Sequence, residues 1–175
     1  MAITNCSGYA AGYQSACGRS SSGVKKIHLA PYSASTFSTA SVDANNVITQ
    51  ITSGHTHFTF DVPSETCAAE WSYKTDLKNN ATWCEGKIEL VIPDYNYTLR
   101  NQLYAMASIP STAIVEREDG IIEFWGASTG INATEAKSGV AKEVNGFRGI
   151  AVTFEYKGAL APYTITGTTA YTVSY

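Results

Sequence analysis

Charge is what this chain has little of. Asp, Glu, Lys and Arg make up 15% of its 175 residues, against about a quarter in an average soluble protein, and Ser, Thr, Asn, Ala and Gly fill the gap. There is no basic stripe, and the formal net charge is −3. The balance argues against a dedicated nucleic-acid binder, which needs Lys and Arg to neutralise phosphates. No apolar run is long enough to cross a bilayer as a helix. The opening Met1-Ala2-Ile3-Thr4-Asn5-Cys6 lacks the basic and apolar regions of a signal peptide, so a soluble chain made in the cytosol is expected. A glycine-rich phosphate cradle, a serine nucleophile elbow and a helix presenting two histidines are all missing. No catalytic, cofactor-binding or metal residue is assigned, no cofactor is expected, and the chain is not expected to be an enzyme. A surface poor in charge and rich in small polar groups suits a subunit packed against copies of itself, where buried unpaired charge is costly. An ordinary β protein with Thr-rich turns has the same composition.

Four cysteines, Cys6, Cys17, Cys67 and Cys84, match no zinc spacing. Cys67 and Cys84 flank a hairpin but lie at unequal distances from its tip, so free, partly buried thiols are expected. His55 and His57 share a strand face and read as a polar strand end beside a glycine; His28 reads as a solvated or interface residue. Glu116, Glu118, Asp119 and Glu123 cluster about one turn. They read as the solvated side of a sheet or, in a ring, as residues lining its channel. Trp71, Trp83, Trp125 and the tyrosines are scattered among strand positions, which favours packing over a sugar or base platform.

Along the chain, residues 1–22 carry glycines among Ser, Ala and Tyr without a period and read as an arm. Val24–Ala30 is a strand with Ile27 and Leu29 inward. In Val42–Ile51, Asn45-Asn46 can supply the positive φ of a tight turn. Thr56–Val62 alternates with Phe58, Phe60 and Val62 inward. Cys67–Lys74 and Ala81–Ile92 make a long hairpin whose polar tip, Asp76, Leu77, Lys78, Asn79 and Asn80, extends past the body. The spacing of Leu99, Leu103, Tyr104 and Met106 predicts one helix over about 96–107, capped by Asp94 or Asn96 and stopped at Ser108-Ile109-Pro110. Ala113–Arg117 and Ile121–Gly126 form a third hairpin, and Gly146–Tyr156 is a strong strand. Residues 127–146 are polar, with weak strand character at 130–134 and 139–143. The uncharged stretch Tyr163–Tyr175 must pair, within the subunit or with a neighbour, to avoid a bare edge. The organisation expected is an arm (1–22), a β domain (23–162) and a C-terminal strand (163–175).

Several phrases occur together in a moderately specific order: Gly23-Val24-Lys25-Lys26-Ile27-His28-Leu29-Ala30, Leu90-Val91-Ile92-Pro93 before Thr98-Leu99-Arg100-Asn101-Gln102-Leu103, Ala113-Ile114-Val115-Glu116, Phe124-Trp125-Gly126-Ala127, and Asn145-Gly146-Phe147-Arg148-Gly149-Ile150-Ala151-Val152-Thr153-Phe154. In this order the chain resembles the tail tube and related ring-forming virion proteins of tailed bacteriophages, especially those infecting Bacteroidota. The resemblance implies a mainly β (α+β) fold, two packed antiparallel sheets as a β-sandwich or barrel flanked by one helix. It also implies hexameric rings that stack into a conduit for genome ejection, located in the virion tail and assembled in the host cytoplasm. The expected partners are the chain itself, other tail proteins and passing double-stranded DNA without specific binding, and no membrane. Cys6, Tyr9, Tyr13, Cys17, the tip Asp76–Asn80, Tyr171 and Tyr175 are the expected assembly contacts. The two-cysteine arm and the Thr/Tyr-rich tail depart from the simplest family pattern, so a neck or collar ring or a tail-completion protein is the alternative within the family. A carbohydrate-binding β-sandwich is the alternative from another class.

Overall fold

A computed structural model of the chain describes residues 23–34, 42–43, 45–49, 51, 56–62, 66–92, 97–140, 148–166 and 172–174. The expected arm, with Cys6, Tyr9, Tyr13 and Cys17, lies outside these residues, as do Tyr171, Tyr175, His55 and the candidate helix caps Asp94 and Asn96. In chain order the elements are β1 (Val24–Pro31), β2 (Val47–Ile48), β3 (Thr56–Asp61), β4 (Ala68–Asp76), β5 (Ala81–Ile92), α1 (Tyr97–Ser108), β6 (Ser111–Arg117), β7 (Ile122–Trp125), β8 (Asn132–Val140), β9 (Arg148–Gly158), β10 (Tyr163–Ile165) and β11 (Thr172–Ser174).

The strands form two sheets, one ordered β11-β3-β1-β6-β7-β10-β2 and the other β4-β5-β9-β8. The smaller sheet is antiparallel throughout. So is the body of the larger one, β3-β1-β6-β7-β10, with short parallel pairings only at its margins, β11 on β3 and β2 on β10. Packed face to face, with one helix, they make the β-sandwich expected from the sequence. The main core lies between them, where Ile27, Leu29, Val115 and Trp125 of the larger sheet meet Ile88, Leu90, Val152 and Phe154 of the smaller. Both strand stretches of the C-terminal segment pair within the subunit: β10 lies against β7, and β11 against β3.

Alternation explains most strands. In β5, Cys84, Ile88 and Leu90 are buried while Glu85, Lys87 and Glu89 sit on the other face. Asn46, at φ 60°, supplies the left-handed turn residue where Val42 bridges back to Ile48. The helix ends where expected: the Ile109 N–H donates to the Ala105 carbonyl and the Ser108 hydroxyl to that of Tyr104, before Pro110 stops the ladder. Met106 packs on the core, whereas Tyr104, placed with the apolar stripe by its spacing, is exposed.

Other expectations need correction. Of residues 127–146, those described, 127–140, hold one nine-residue strand, β8, which runs through the gap expected between two weak stretches; a bulge between Ala133 and Glu135 puts small residues on the core side and breaks the period of two. His28 is buried, 2% exposed, and not solvated. A second apolar cluster, Ile48, Ile51, Ile114, Phe124, Ala127 and Ile165, covers the far face of the larger sheet, so the central strand β1 is enclosed on both sides.

Trp125 sets the approach of the sheets. Its indole edge lies over Gly86 of β5, where an added Cβ would fall 2.5 Å from Trp125 Cζ3 and 3.0 Å from the Glu70 carbonyl. Gly86→Ala is expected to lower stability by about 1–3 kcal/mol through overpacking, read as a fall in the urea midpoint at unchanged slope; an unchanged midpoint would mean that this contact is not tight.

Candidate assembly surface

The predicted assembly residues that fall within the described structure come together at one place. β4 and β5 pair without a break from Ala68↔Glu89 to Asp76↔Ala81, while β9 reaches only Cys84 of β5 and β8 spans only the rows from Lys87 upward. The far end of the hairpin therefore projects beyond its own sheet. Asp76 builds the tip: its carboxylate accepts from the Lys78 N–H at 2.9 Å and from the Asn79 side-chain amide at 2.6 Å, and Asn80 takes the left-handed turn conformation at φ 48°. The Asn79 side chain, with help from the Lys78 N–H, holds the Asp76 carboxyl below its ordinary value. Leu77 is left standing out of the turn at 89% exposure. Behind the tip, Trp71 and Tyr73 meet edge to face at 5.9 Å, both partly exposed, and the Tyr73 hydroxyl accepts from the Ala161 N–H.

The outward face of the smaller sheet is a ladder of alternating charge. Register aligns Glu70, Lys87, Glu155 and Asn132 in one row, Ser72, Glu85 and Lys157 in the next, and Glu89, Thr153 and Glu135 in a third. Lys87 pairs with Glu89, Lys137 with Glu135 and Lys157 with Glu85; Lys157 also sits 5.4 Å from the Trp83 ring centre. The Glu89 carboxylate, then Glu70 and Glu155, raise the Lys87 ammonium above its ordinary value. A hydrogen bond from the Trp83 indole, 2.7 Å long, is the main cause that lowers Glu85. A shallow depression of about 660 Å³ runs over these rows. Neither the ladder nor the sheet edges beside it were singled out from the sequence.

The four carboxylates expected to share a surface do not. Glu123 is buried, accepting from the Trp125 indole at 3.1 Å and pairing with Arg117 at 3.2 Å, so it presents no charge to a channel. Glu116 faces the opposite side of the sheet and lies 2.9 Å from His28 Nε2. Asp119 is bound by Arg117, and Glu118 and Asp119 alone are exposed, at the β6–β7 turn. The strand period divides them, since 116 and 123 fall on opposite faces of neighbouring strands.

Thr59, His28 and Glu116 form a hydroxyl–imidazole–carboxylate chain, 2.9 Å at each step, an order shared with acyl-transfer triads. At 2% exposure His28 offers no surface to a substrate. His57 is likewise buried, edge-on to Phe124 with Nε2 3.5 Å from the Thr112 hydroxyl. Both were expected at polar or solvated positions. His57 meets Phe124 of the second apolar cluster, and His28 is held between Thr59 and Glu116 on the same face of the sheet.

Cys67 and Cys84 are both free. Cys84 opposes Tyr73, and Cys67 lies one residue beyond the Ala68↔Glu89 row, so the two are far apart along the hairpin. Burial pushes the Cys67 thiol up to about 12 and also raises that of Cys84. Neither is expected to react with iodoacetamide at pH 8 in the native protein, because the thiolate is the nucleophile, and both should label fully in urea; peptide mapping that finds either one alkylated natively would contradict this. The depressed Asp76 value has a definite sign: its support of the tip is complete above the ordinary carboxyl range and is lost as pH falls through the lower folded value. The Lys78 amide and Asn79 side-chain NMR signals should therefore hold their positions at pH 4.5 and move only at more acid pH.

Among the described residues no helix is long and apolar enough to cross a membrane, and no three His, Cys, Asp or Glu side chains are grouped as for a metal. Compared with protein-family models, curated proteins and solved structures, the chain finds no match.

Proposed function

We propose that the chain is a non-catalytic structural subunit that assembles with itself into stacked rings, as the tail tube of a bacteriophage virion. One observation carries this: the four-stranded sheet ends, on both sides, in a nine-residue strand, β4 and β8, whose outer edge pairs with no strand among the described residues. Such edges are a hazard unless something covers them. In an alternating sheet of four strands the first and last run in opposite directions. A second copy's β8 laid beside β4 therefore continues the antiparallel order, and the contact is heterologous, which closes into a ring when the rotation per copy permits.

Six copies would join about 24 strands into one barrel, more than the 16–18 of porins that already leave an aqueous channel. With the larger sheet outside, the charge ladder would line that channel. Its five carboxylates, Glu70, Glu85, Glu89, Glu135 and Glu155, face four lysines, Lys74, Lys87, Lys137 and Lys157. A wall so nearly neutral lets DNA pass without the counterion release that drives phosphate binding. The lumen thus moves from the expected Glu116–Glu123 group to the smaller sheet. Placement in the virion tail, assembly in the host cytoplasm and contact with other tail proteins belong to the same proposal, and a neck ring would use the same edges.

The half-exposed Trp71 and Tyr73 favour one second reading, a carbohydrate-binding sandwich. Electron microscopy of the purified chain, averaged down the symmetry axis, separates them. Closed rings with a central hole are expected; monomers at high concentration that bind a glycan array would refute the tube and support the module.

A further inference from the structure

The hairpin tip and a groove beside α1 are complementary, and one molecule cannot bring them together. The tip offers Leu77, 89% exposed, flanked by Lys78; Asp76 is already engaged by its own turn. The groove, of about 250 Å³, lies between the last turn of α1 and the corner of the larger sheet, walled chiefly by Leu29, Phe58, Phe60, Met106 and Ile109. Phe58 and Ile109 are each about half exposed at 48%, so apolar surface is open at the rim. The last turn of α1 carries no basic residue of its own, so a lysine brought to it would meet the partial negative charge of its carbonyl end.

Within one chain the two are separated. The helix lies nearest β8 and β9, and every row of β8 falls at Lys87 or beyond along β5, whereas the tip lies past Ala81. Six strand residues, roughly 20 Å, therefore stand between the tip and the nearest row of β8.

We infer that the groove receives the tip of a second copy of this chain, with Leu77 filling it and Lys78 facing the carbonyl end of α1. The inference rests on the ring-stacking proposal and names its contact between rings. A knob and a socket at separate places on one surface make a heterologous contact that repeats without closing. Edge pairing of β4 and β8 makes the ring; the tip joins one ring to the next.

Three variants of the full chain test this: Leu77→Glu, Ala105→Trp, which fills the groove, and Leu77 replaced by photoreactive benzoylphenylalanine. Sedimentation velocity and electron microscopy should find rings in Leu77→Glu and Ala105→Trp but no stacks, the concentration needed for stacking rising about tenfold or more. Illumination of a mixture of isotopically light and heavy benzoylphenylalanine protein should join residue 77 of one copy to the last turn of α1 or to Phe58 of another. Stacks that persist in Leu77→Glu, or crosslinks that land elsewhere, overturn the inference while the ring proposal stands. Wild-type protein that forms no rings overturns both. Leu77→Glu, at an exposed turn, and the crosslink site decide the matter even where Ala105→Trp fails to fold.

Discussion

The contact of Trp125 with Gly86 is the constraint on which the sandwich depends. The largest fully buried side chain of the protein, Trp125 reaches across from the larger sheet to the one position of β5 without a side chain to meet it. It stands edge-on to Tyr156 at 5.9 Å, and its indole N–H gives Glu123 a reason to be buried. Glu123 in turn holds Arg117, which holds Asp119 in the β6–β7 turn. One aromatic ring therefore fixes sheet separation, satisfies a buried carboxylate and orders a turn. It also fixes which face of the smaller sheet is left for solvent.

That remaining face explains how a chain so poor in charge distributes it. Much of what charge there is stands in rows on the outside of β4, β5, β8 and β9, with each lysine beside carboxylates of its own or a neighbouring strand. Exposed pairs of this kind add little stability. Their effect is on the field: alternating signs cancel within a few ångströms, so that a broad surface is hydrated yet attracts neither polyanion nor polycation strongly. The opposite face of the larger sheet is closed by Ile48, Ile51 and Phe124. In the proposed assembly the contacts therefore fall on the edges, the tip and the groove.

Much of the fold is legible in the sequence, and the exceptions have physical causes. Phe60 and Val62 turn inward as their alternation predicts, whereas Phe58, expected inward with them, is left about half exposed beside the end of α1; Pro110 ends α1 because it cannot extend the ladder. The strand β8 was obscured by its bulge and by Ala133 and Ala136, which pack inward without the hydrophobic contrast that a periodic reading needs. The burial of His28 is not legible locally because its partners, Thr59 and Glu116, are remote in sequence. The tip Asp76–Asn80 could be found as a polar break between two strand runs. The groove beside α1 and the outer positions of β4 and β8 in their sheet could not, since each depends on which strands become neighbours, and no local pattern encodes that. The carboxylates near Asp119 show the converse: closeness in sequence brought them to one turn but to different faces.

If the edges of the smaller sheet are the sites of ring closure, their backbone amides should tell assembled from free subunits directly. Hydrogen exchange, read by mass spectrometry on peptides covering 68–76 and 132–140, should show strong protection of both segments in the assembled protein and fast exchange in the dilute monomer, with β5 and β9 slow in both states. Equal exchange of β4 and β8 in the two states, or an assembly that protects only one of them, would contradict closure through the sheet.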